Sequence, residues 1–148
     1  MNQSTLRSFH RPYDNIHIFT VADSSVATVQ DWSQKIIGRL DQSAGPHKHL
    51  YDLRELHDLS IYAIRAAIKF KAHPHSKNVY SAVLTTHPQA IDKINLILKI
   101  QPGGHFRLFQ NQQEAVNWLN SQVPIVDDVT HFFETAYLNR QEGQRLKH

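Results

Sequence analysis

The chain has 148 residues, of which 41% are hydrophobic and 20% are charged, a balance typical of a globular domain. No apolar run approaches the roughly 20 residues that a membrane-spanning helix needs, so membrane insertion is not expected. The complete absence of cysteine excludes a thiol catalyst, a thiolate metal site and a disulfide framework.

The formal net charge is +3, and the basic residues are scattered among acidic ones along the chain. Nucleic acid is therefore not an expected partner, because phosphate binding needs a concentrated basic surface. The eleven histidines predict association or solubility that changes on mild acidification. Residues 1–12 contain no apolar core of a secretory signal, which favours a cytoplasmic location.

The predicted elements alternate between strands and helices. Residues 15–21, 49–53, 78–85 and 106–109 have the β-branched and aromatic content of strands. Helices with apolar residues at helical spacing are predicted to begin after Thr28, Ser60, His87 and Asn111, with Pro88 in a first turn and Glu114 in capping-box spacing. Ile61, Ile64, Ala67 and Ile68 are the predicted buried face of the second helix. This order predicts parallel strand pairing through helical crossovers and hence an α/β sandwich.

The two ends of the chain are predicted to lie outside a domain formed by residues 15–122. Residues 1–14 are an N-terminal extension or an additional edge strand. Residues 123–148 are a C-terminal amphipathic helix followed by a polar tail. Its apolar face either docks onto the domain or contacts a second copy of the chain, and in the latter case Phe132, Phe133 and Tyr137 are the predicted dimer contacts.

Several strand and helix motifs together resemble the SpoIIAA-like, or STAS-like, family. They are residues 50–54 (Leu-Tyr-Asp-Leu-Arg), residues 80–84 (Tyr-Ser-Ala-Val-Leu), and the strand at 106–109 followed by Glu-Ala-Val-Asn-Trp-Leu at 114–119. The resemblance implies a mostly parallel sheet of four or five strands with helices packed on it. It also implies a non-enzymatic cytoplasmic module that regulates or binds another protein and needs no cofactor.

Anti-sigma factor antagonists of that family are switched by phosphorylation of a serine at the start of the second helix, within an Asp-Ser-Ser/Thr-Gly motif. The corresponding residues 56–63 contain one serine, Ser60, without an adjacent hydroxyl residue or a glycine. A helix cap accounts for Ser60 more simply than a phosphoacceptor does. The predicted partner-binding residues are His57, Asp58, Ser60 and Tyr62, and the usual phosphoserine switch is not expected.

Two other functions are alternatives. The first is a small-molecule or lipid-binding carrier, because related folds can enclose an apolar ligand between helices and sheet. The second, less favoured, is an enzyme that uses Asp52 and His57 for acid–base chemistry at the carboxyl end of the sheet, where such folds bind ligands. No nucleophile or electrophile-stabilising group accompanies that pair in the sequence.

The spacing of the histidines raises the question of a metal site. His47 and His49 are two residues apart, His73 and His75 repeat that spacing, and His87 follows. Such pairs hold zinc or nickel only if a third ligand converges on them. Both pairs flank prolines in predicted loops, where histidines are ordinarily solvated, so no metal site is expected.

Overall fold

A five-stranded sheet forms the centre of the protein in the computed structural model, which describes residues 3–125. The strands follow one another in chain order across the sheet. β1 is antiparallel to β2, and all other neighbours are parallel. The strands are β1 (Arg7–Arg11), β2 (Ile16–Thr20), β3 (His47–Asp52), β4 (Val79–Leu84) and β5 (His105–Phe109). The predicted α/β sandwich with a mostly parallel sheet is confirmed, with β1 as an edge strand.

Helices cover both faces of this sheet. They are α1 (Val26–Gln42), α2 (Ile61–Lys71), α3 (Pro88–Ile100) and α4 (Gln112–Gln122), with a 3-10 turn at Ser76–Asn78. The first three helices pack on one face, where Leu40, Phe70 and Ile94 meet side chains of β2, β3 and β4. The fourth packs on the opposite face, where Ala115 and Leu119 contribute to a second core.

Side-chain caps set where three of the helices begin. The predicted caps Ser60 and Asn111 are confirmed, since each side chain accepts a hydrogen bond from the backbone N–H three residues ahead. The prediction for α1 is wrong by three residues, because Ser25 is the cap. Thr28 is buried inside the first turn, and its hydroxyl donates to Asp23 over 2.7 Å.

Two predictions about burial are wrong. Ile61 is 53% exposed, because the cap at Ser60 places it first in α2. The helix buries Ile64 as predicted, but its other buried residues are Ala66 and Phe70 rather than Ala67 and Ile68. The second concerns the pair His47 and His49, predicted to be solvated where a loop leads into the strand at 49–53. They lie in β3, a central strand covered by α1 and its neighbours, and both are buried.

The predicted C-terminal helix, with Phe132, Phe133 and Tyr137, lies outside the described residues. Across residues 3–125, no helix is both long and apolar enough to span a membrane.

Candidate functional site

Hydrogen bonds between Ser24 and Ser60 join two loops at the carboxyl edge of the sheet. Ser60 hydroxyl donates to the Ser24 carbonyl over 2.6 Å, and Ser24 hydroxyl accepts from the Ser60 backbone N–H over 3.0 Å. Ser60 Oγ also accepts from the N–H of Ala63 over 3.2 Å. The Ser60 hydroxyl is thus used as both donor and acceptor, and it ties the start of α2 to the loop before α1.

Apolar side chains are exposed on both sides of this contact. Ile61 is 53% exposed and Tyr62 is 49% exposed in the first turn of α2, directly after Ser60. Val26 is 42% exposed at the start of α1, two residues after Ser24. Exposed apolar clusters rimmed by polar groups are typical of protein-binding surfaces. We call Val26, Ile61 and Tyr62 the helix-start patch.

Charged and aromatic groups of the β3–α2 loop lie next to this patch along the chain. Asp58 is exposed and pairs with Lys93 of α3 at 3.5 Å. The rings of His57 and His87 are 4.0 Å apart, and His87 Nε2 donates to the carbonyl of Arg54 over 3.0 Å. The loop is therefore held to α3 on one side, while Asp58 remains accessible to a partner.

The carboxylate proposed for acid–base chemistry is engaged elsewhere. Arg54 Nε and Nη2 donate to the two oxygens of Asp52 over 2.9 and 2.8 Å. Burial alone would raise the pKa of Asp52, but the hydrogen bonds and charge of Arg54 outweigh it and hold the pKa below its ordinary value. Asp52 is therefore a paired anion rather than a proton acceptor for His57.

An apolar cavity of about 110 Å³ separates the sheet from α1, α2 and α3. Three aromatic side chains form much of its wall: Trp32 lies edge-on to Tyr51 and to Phe70, with ring centroids 5.8 and 6.0 Å apart. Among the described residues of its wall, Asp23 alone carries a carboxylate. Hydrogen bonds from Ser25 and from the Thr28 hydroxyl lower the pKa of Asp23, so it is ionised at neutral pH.

Beside this cavity lies a second, more polar one of about 190 Å³. The two share Phe70, Lys71 and Phe106 as wall residues. Lys71 Nζ donates to the Gly103 carbonyl over 2.7 Å and lies 5.7 Å from the centre of the Phe106 ring. A single lysine thus stands at the boundary between an apolar and a polar space.

The histidines of the described residues make hydrogen bonds rather than a metal-binding group. Within residues 3–125, no three histidine, aspartate or glutamate side chains are grouped so that they could hold an ion. His73 Nε2 is 2.9 Å from Asp41, and His75 Nδ1 donates to the carbonyl of Leu40 over 2.6 Å. Both side chains therefore tie the start of the 3-10 region to the end of α1.

The predicted partner-binding residues lie in the β3–α2 loop and at the start of α2: His57, Asp58, Ser60 and Tyr62. Sequence reasoning missed Ser24 as the hydrogen-bond partner of Ser60. A serine two residues before the start of α1 carries no signal of its own. Lys71 and the two cavities were also missed. Of the predicted functions, only the small-molecule carrier implied a space between the helices and the sheet.

The SpoIIAA-like family model matches residues 17–120, from β2 into α4, and the chain belongs to this family. No curated protein matches it.

Two solved structures share the fold. One is an anti-sigma factor antagonist from Mycobacterium paratuberculosis, with 16% identity and a TM-score of 0.57, over 78% of this chain and 94% of that one. The other is an uncharacterized protein of the DUF3478 family with a SpoIIAA-like fold from Shewanella loihica PV-4, with 18% identity and a TM-score of 0.56. That alignment covers 77% of this chain and 91% of the other. At these identities the likeness establishes the fold.

Proposed function

We propose that the protein is a cytoplasmic regulatory module of STAS type that binds another protein through the helix-start patch and acts without catalysis. The observation that carries this proposal is the exposure of Ile61 and Tyr62 beside the Ser24–Ser60 contact. Apolar and aromatic side chains at the centre of such a patch supply most of the binding free energy in protein interfaces. His57 and Asp58 are the proposed polar rim. Membership in the SpoIIAA-like family supports the assignment.

We further propose that partner binding does not depend on a phosphoserine switch. Ser60 hydroxyl donates to the Ser24 carbonyl and caps α2, so modification would remove the hydrogen bond between the loops. The intact mass of protein from its own source, measured before and after phosphatase treatment, tests this. We expect no change, and an 80 Da loss mapped to Ser60 would contradict the proposal.

Photo-crosslinking in cells of the native source tests the binding surface. Tyr62 is replaced by p-benzoylphenylalanine, and Tyr13, which is 70% exposed in the β1–β2 turn, receives the same replacement as a control. We expect one discrete protein adduct from position 62 and none of that mass from position 13. No adduct at position 62, or the same adduct from both positions, would overturn the proposed surface.

A matched pair of surface variants makes the same test sharper. Ile61 in α2 and Ile100 in α3 are 53% and 52% exposed, so replacing either by serine removes a similar apolar area. We expect Ile61→Ser to abolish the adduct formed at position 62 and Ile100→Ser to leave it unchanged. Equal loss of the adduct in both variants would indicate non-specific hydrophobic association rather than binding at one surface.

The apolar cavity favours a second candidate function, a small-molecule carrier. A cavity of about 110 Å³ is close in size to the roughly 150 Å³ engineered cavity that takes up benzene. Native mass spectrometry of gently purified protein distinguishes the candidates. A retained small-molecule mass supports the carrier, whereas a protein heteromer without adducts supports the interaction module.

Self-association through the C-terminal residues is a separate proposal. Phe132, Phe133 and Tyr137 provide the apolar face predicted from sequence. We expect a homodimer in native mass spectra that dissociates when Phe132 and Phe133 are both replaced by serine. A wild-type monomer at micromolar concentration would contradict this proposal.

A further inference from the structure

We propose that the two adjoining cavities together bind an anionic amphiphile, a medium-chain carboxylate, with its chain in the apolar cavity and its carboxylate at Lys71. This inference rests on the second candidate function, the carrier, and adds the ligand class and its orientation. It starts from the boundary between the cavities, where Phe70, Lys71 and Phe106 belong to both walls.

The apolar cavity fixes the chemistry of one end of the ligand. Its wall consists almost entirely of aromatic and aliphatic side chains, including Trp32, Tyr51 and Leu56. Each methylene group that moves from water into such a space makes binding more favourable. Because the volume is about 110 Å³, the space suits a short alkyl chain and is too small for a long acyl chain or a sterol.

The charged residues around the polar cavity determine the chemistry of the ligand's other end, its headgroup. Lys71, Lys77 and His105 lie on the cavity wall, and none of the wall residues within 3–125 is an aspartate or a glutamate. Among the residues described, Lys71 has no carboxylate partner, and its ammonium group donates to a backbone carbonyl. Burial lowers the pKa of Lys71, so a ligand carboxylate beside it would offset an existing desolvation cost.

The same charges give the ligand one orientation. Asp23 is on the wall of the apolar cavity, whereas the described wall residues of the polar cavity are all cationic or neutral. A carboxylate placed near Asp23 would be repelled, and one placed near Lys71 would be attracted. The ligand therefore enters with its chain toward the carboxyl edge of the sheet and its headgroup below the end of α2.

Three probes of equal chain length test the headgroup: octanoate, 1-octanol and octyltrimethylammonium, each below its micelle concentration. Trp32 lies on the cavity wall and serves as the fluorescent reporter. The titrations use the Trp118→Phe protein, since Trp118 packs against Phe109 on the opposite face of the sheet. We expect octanoate to bind at least about tenfold more tightly than 1-octanol, and octyltrimethylammonium to bind most weakly.

Lysine variants test whether the preference for octanoate over 1-octanol depends on the Lys71 side chain. We expect Lys71→Gln to weaken octanoate binding about tenfold and to change 1-octanol binding by less than about twofold. Lys71→Arg keeps the charge and should keep the preference for octanoate. Lys69→Gln is the matched control, because Lys69 is exposed on the same helix and lies on neither cavity wall. It should leave both affinities unchanged.

The outcomes separate the headgroup inference from the carrier function. If 1-octanol binds as tightly as octanoate and Lys71→Gln changes neither, the headgroup inference is wrong while the carrier stands. If no probe changes Trp32 fluorescence and equilibrium dialysis detects no binding, both are wrong. Ala67→Leu, which places a larger side chain on the cavity wall, should abolish binding of all three probes. Binding that survives this substitution would place the probes outside the cavity.

Discussion

The two faces of the central sheet are packed in different ways. On the α4 face, Ala82 of β4 and Ala115 of α4 are fully buried, and such small residues let a helix lie close to a sheet. On the other face, the rings of Trp32, Tyr51 and Phe70 lie between α1, α2 and the sheet, and a cavity remains among them. One face thus has the close packing of a structural core, while the other encloses a cavity.

Buried polar groups lie on both faces of the sheet. On the α4 face, Lys48 Nζ donates to Asn120 Oδ1 over 2.9 Å and to the Val123 carbonyl over 3.2 Å. On the cavity face, Nε2 of His49 and Nε of Arg39 have no hydrogen-bond partner among the described residues. Oδ1 of Asp14, whose other carboxylate oxygen accepts from Asn120 of α4, also lacks a partner among the described residues. Unpaired buried polar atoms therefore occur on both faces, and each costs stability.

Replacing a leucine by alanine on each face should give the largest difference in the free energy of unfolding. Leu119 of α4 is 0% exposed, and Leu56 on the cavity wall is 5% exposed. We expect Leu119→Ala to lower the free energy of unfolding by about 4–5 kcal/mol and Leu56→Ala by about 2–3 kcal/mol. The smaller loss follows because Leu56 borders existing empty space. Urea unfolding followed by circular dichroism measures both, and equal losses would contradict the proposed difference in packing.

Enlarging an alanine on each face should have opposite consequences. Ala115 is fully buried in the α4 core, whereas Ala67 lines the cavity. We expect Ala115→Leu to lower the free energy of unfolding by about 1–3 kcal/mol, and Ala67→Leu to change it by less than about 0.5 kcal/mol or to raise it. Thermal and urea unfolding check this. A large loss for Ala67→Leu would mean that the cavity cannot accept three more carbon atoms.

Lowering the pH should destabilise the protein through the histidines on the cavity face. Burial first, and then the charge of Arg39, lowers the pKa of His49 well below its ordinary value. Burial, Arg39, His10 and His47 lower that of His17 to about 4. Below pH about 6.5, unfolded histidine binds a proton that the folded state excludes. Stability therefore falls as the pH falls, with a slope of up to about 1.4 kcal/mol per pH unit for the fully buried His49.

Urea unfolding between pH 7 and pH 4.5 measures this slope, and two variants assign it. His49→Asn keeps a polar atom near Tyr51, whose hydroxyl is 2.8 Å from Nδ1 of His49, but it does not titrate. We expect it to flatten the pH dependence. His105→Asn removes an exposed histidine at the start of β5 and should leave the pH dependence of stability unchanged. The same slope in all three proteins would show that His49 is not responsible.

Local signals in the sequence were sufficient for the architecture. A run of β-branched and aromatic residues marked β2, and Ser60 and Asn111 marked helix starts, because strands and capped helices are specified by neighbouring residues. The burial of His49 was not predictable in this way, since it depends on α1 lying over β3. The cavities and the position of Lys71 between them depend on side chains from both layers. Ser24 and Ser60 are 36 positions apart, so their contact could not be inferred from spacing.

The smallest difference in stability between the two faces is expected for the helix caps, Ser60 of α2 on one face and Asn111 of α4 on the other. Ser60 Oγ accepts from Ala63 and also donates to the Ser24 carbonyl, whereas Asn111 Oδ1 accepts only from Glu114. We expect Ser60→Ala to lower the free energy of unfolding by about 1–2 kcal/mol and Asn111→Ala by about 0.5–1 kcal/mol, because the first also leaves the Ser24 carbonyl without its donor. Urea unfolding compares the two variants, and Ser24→Ala distinguishes the contributions. If losing the Ser24 hydroxyl costs as much as Ser60→Ala does, the contact between the loops matters more than the cap.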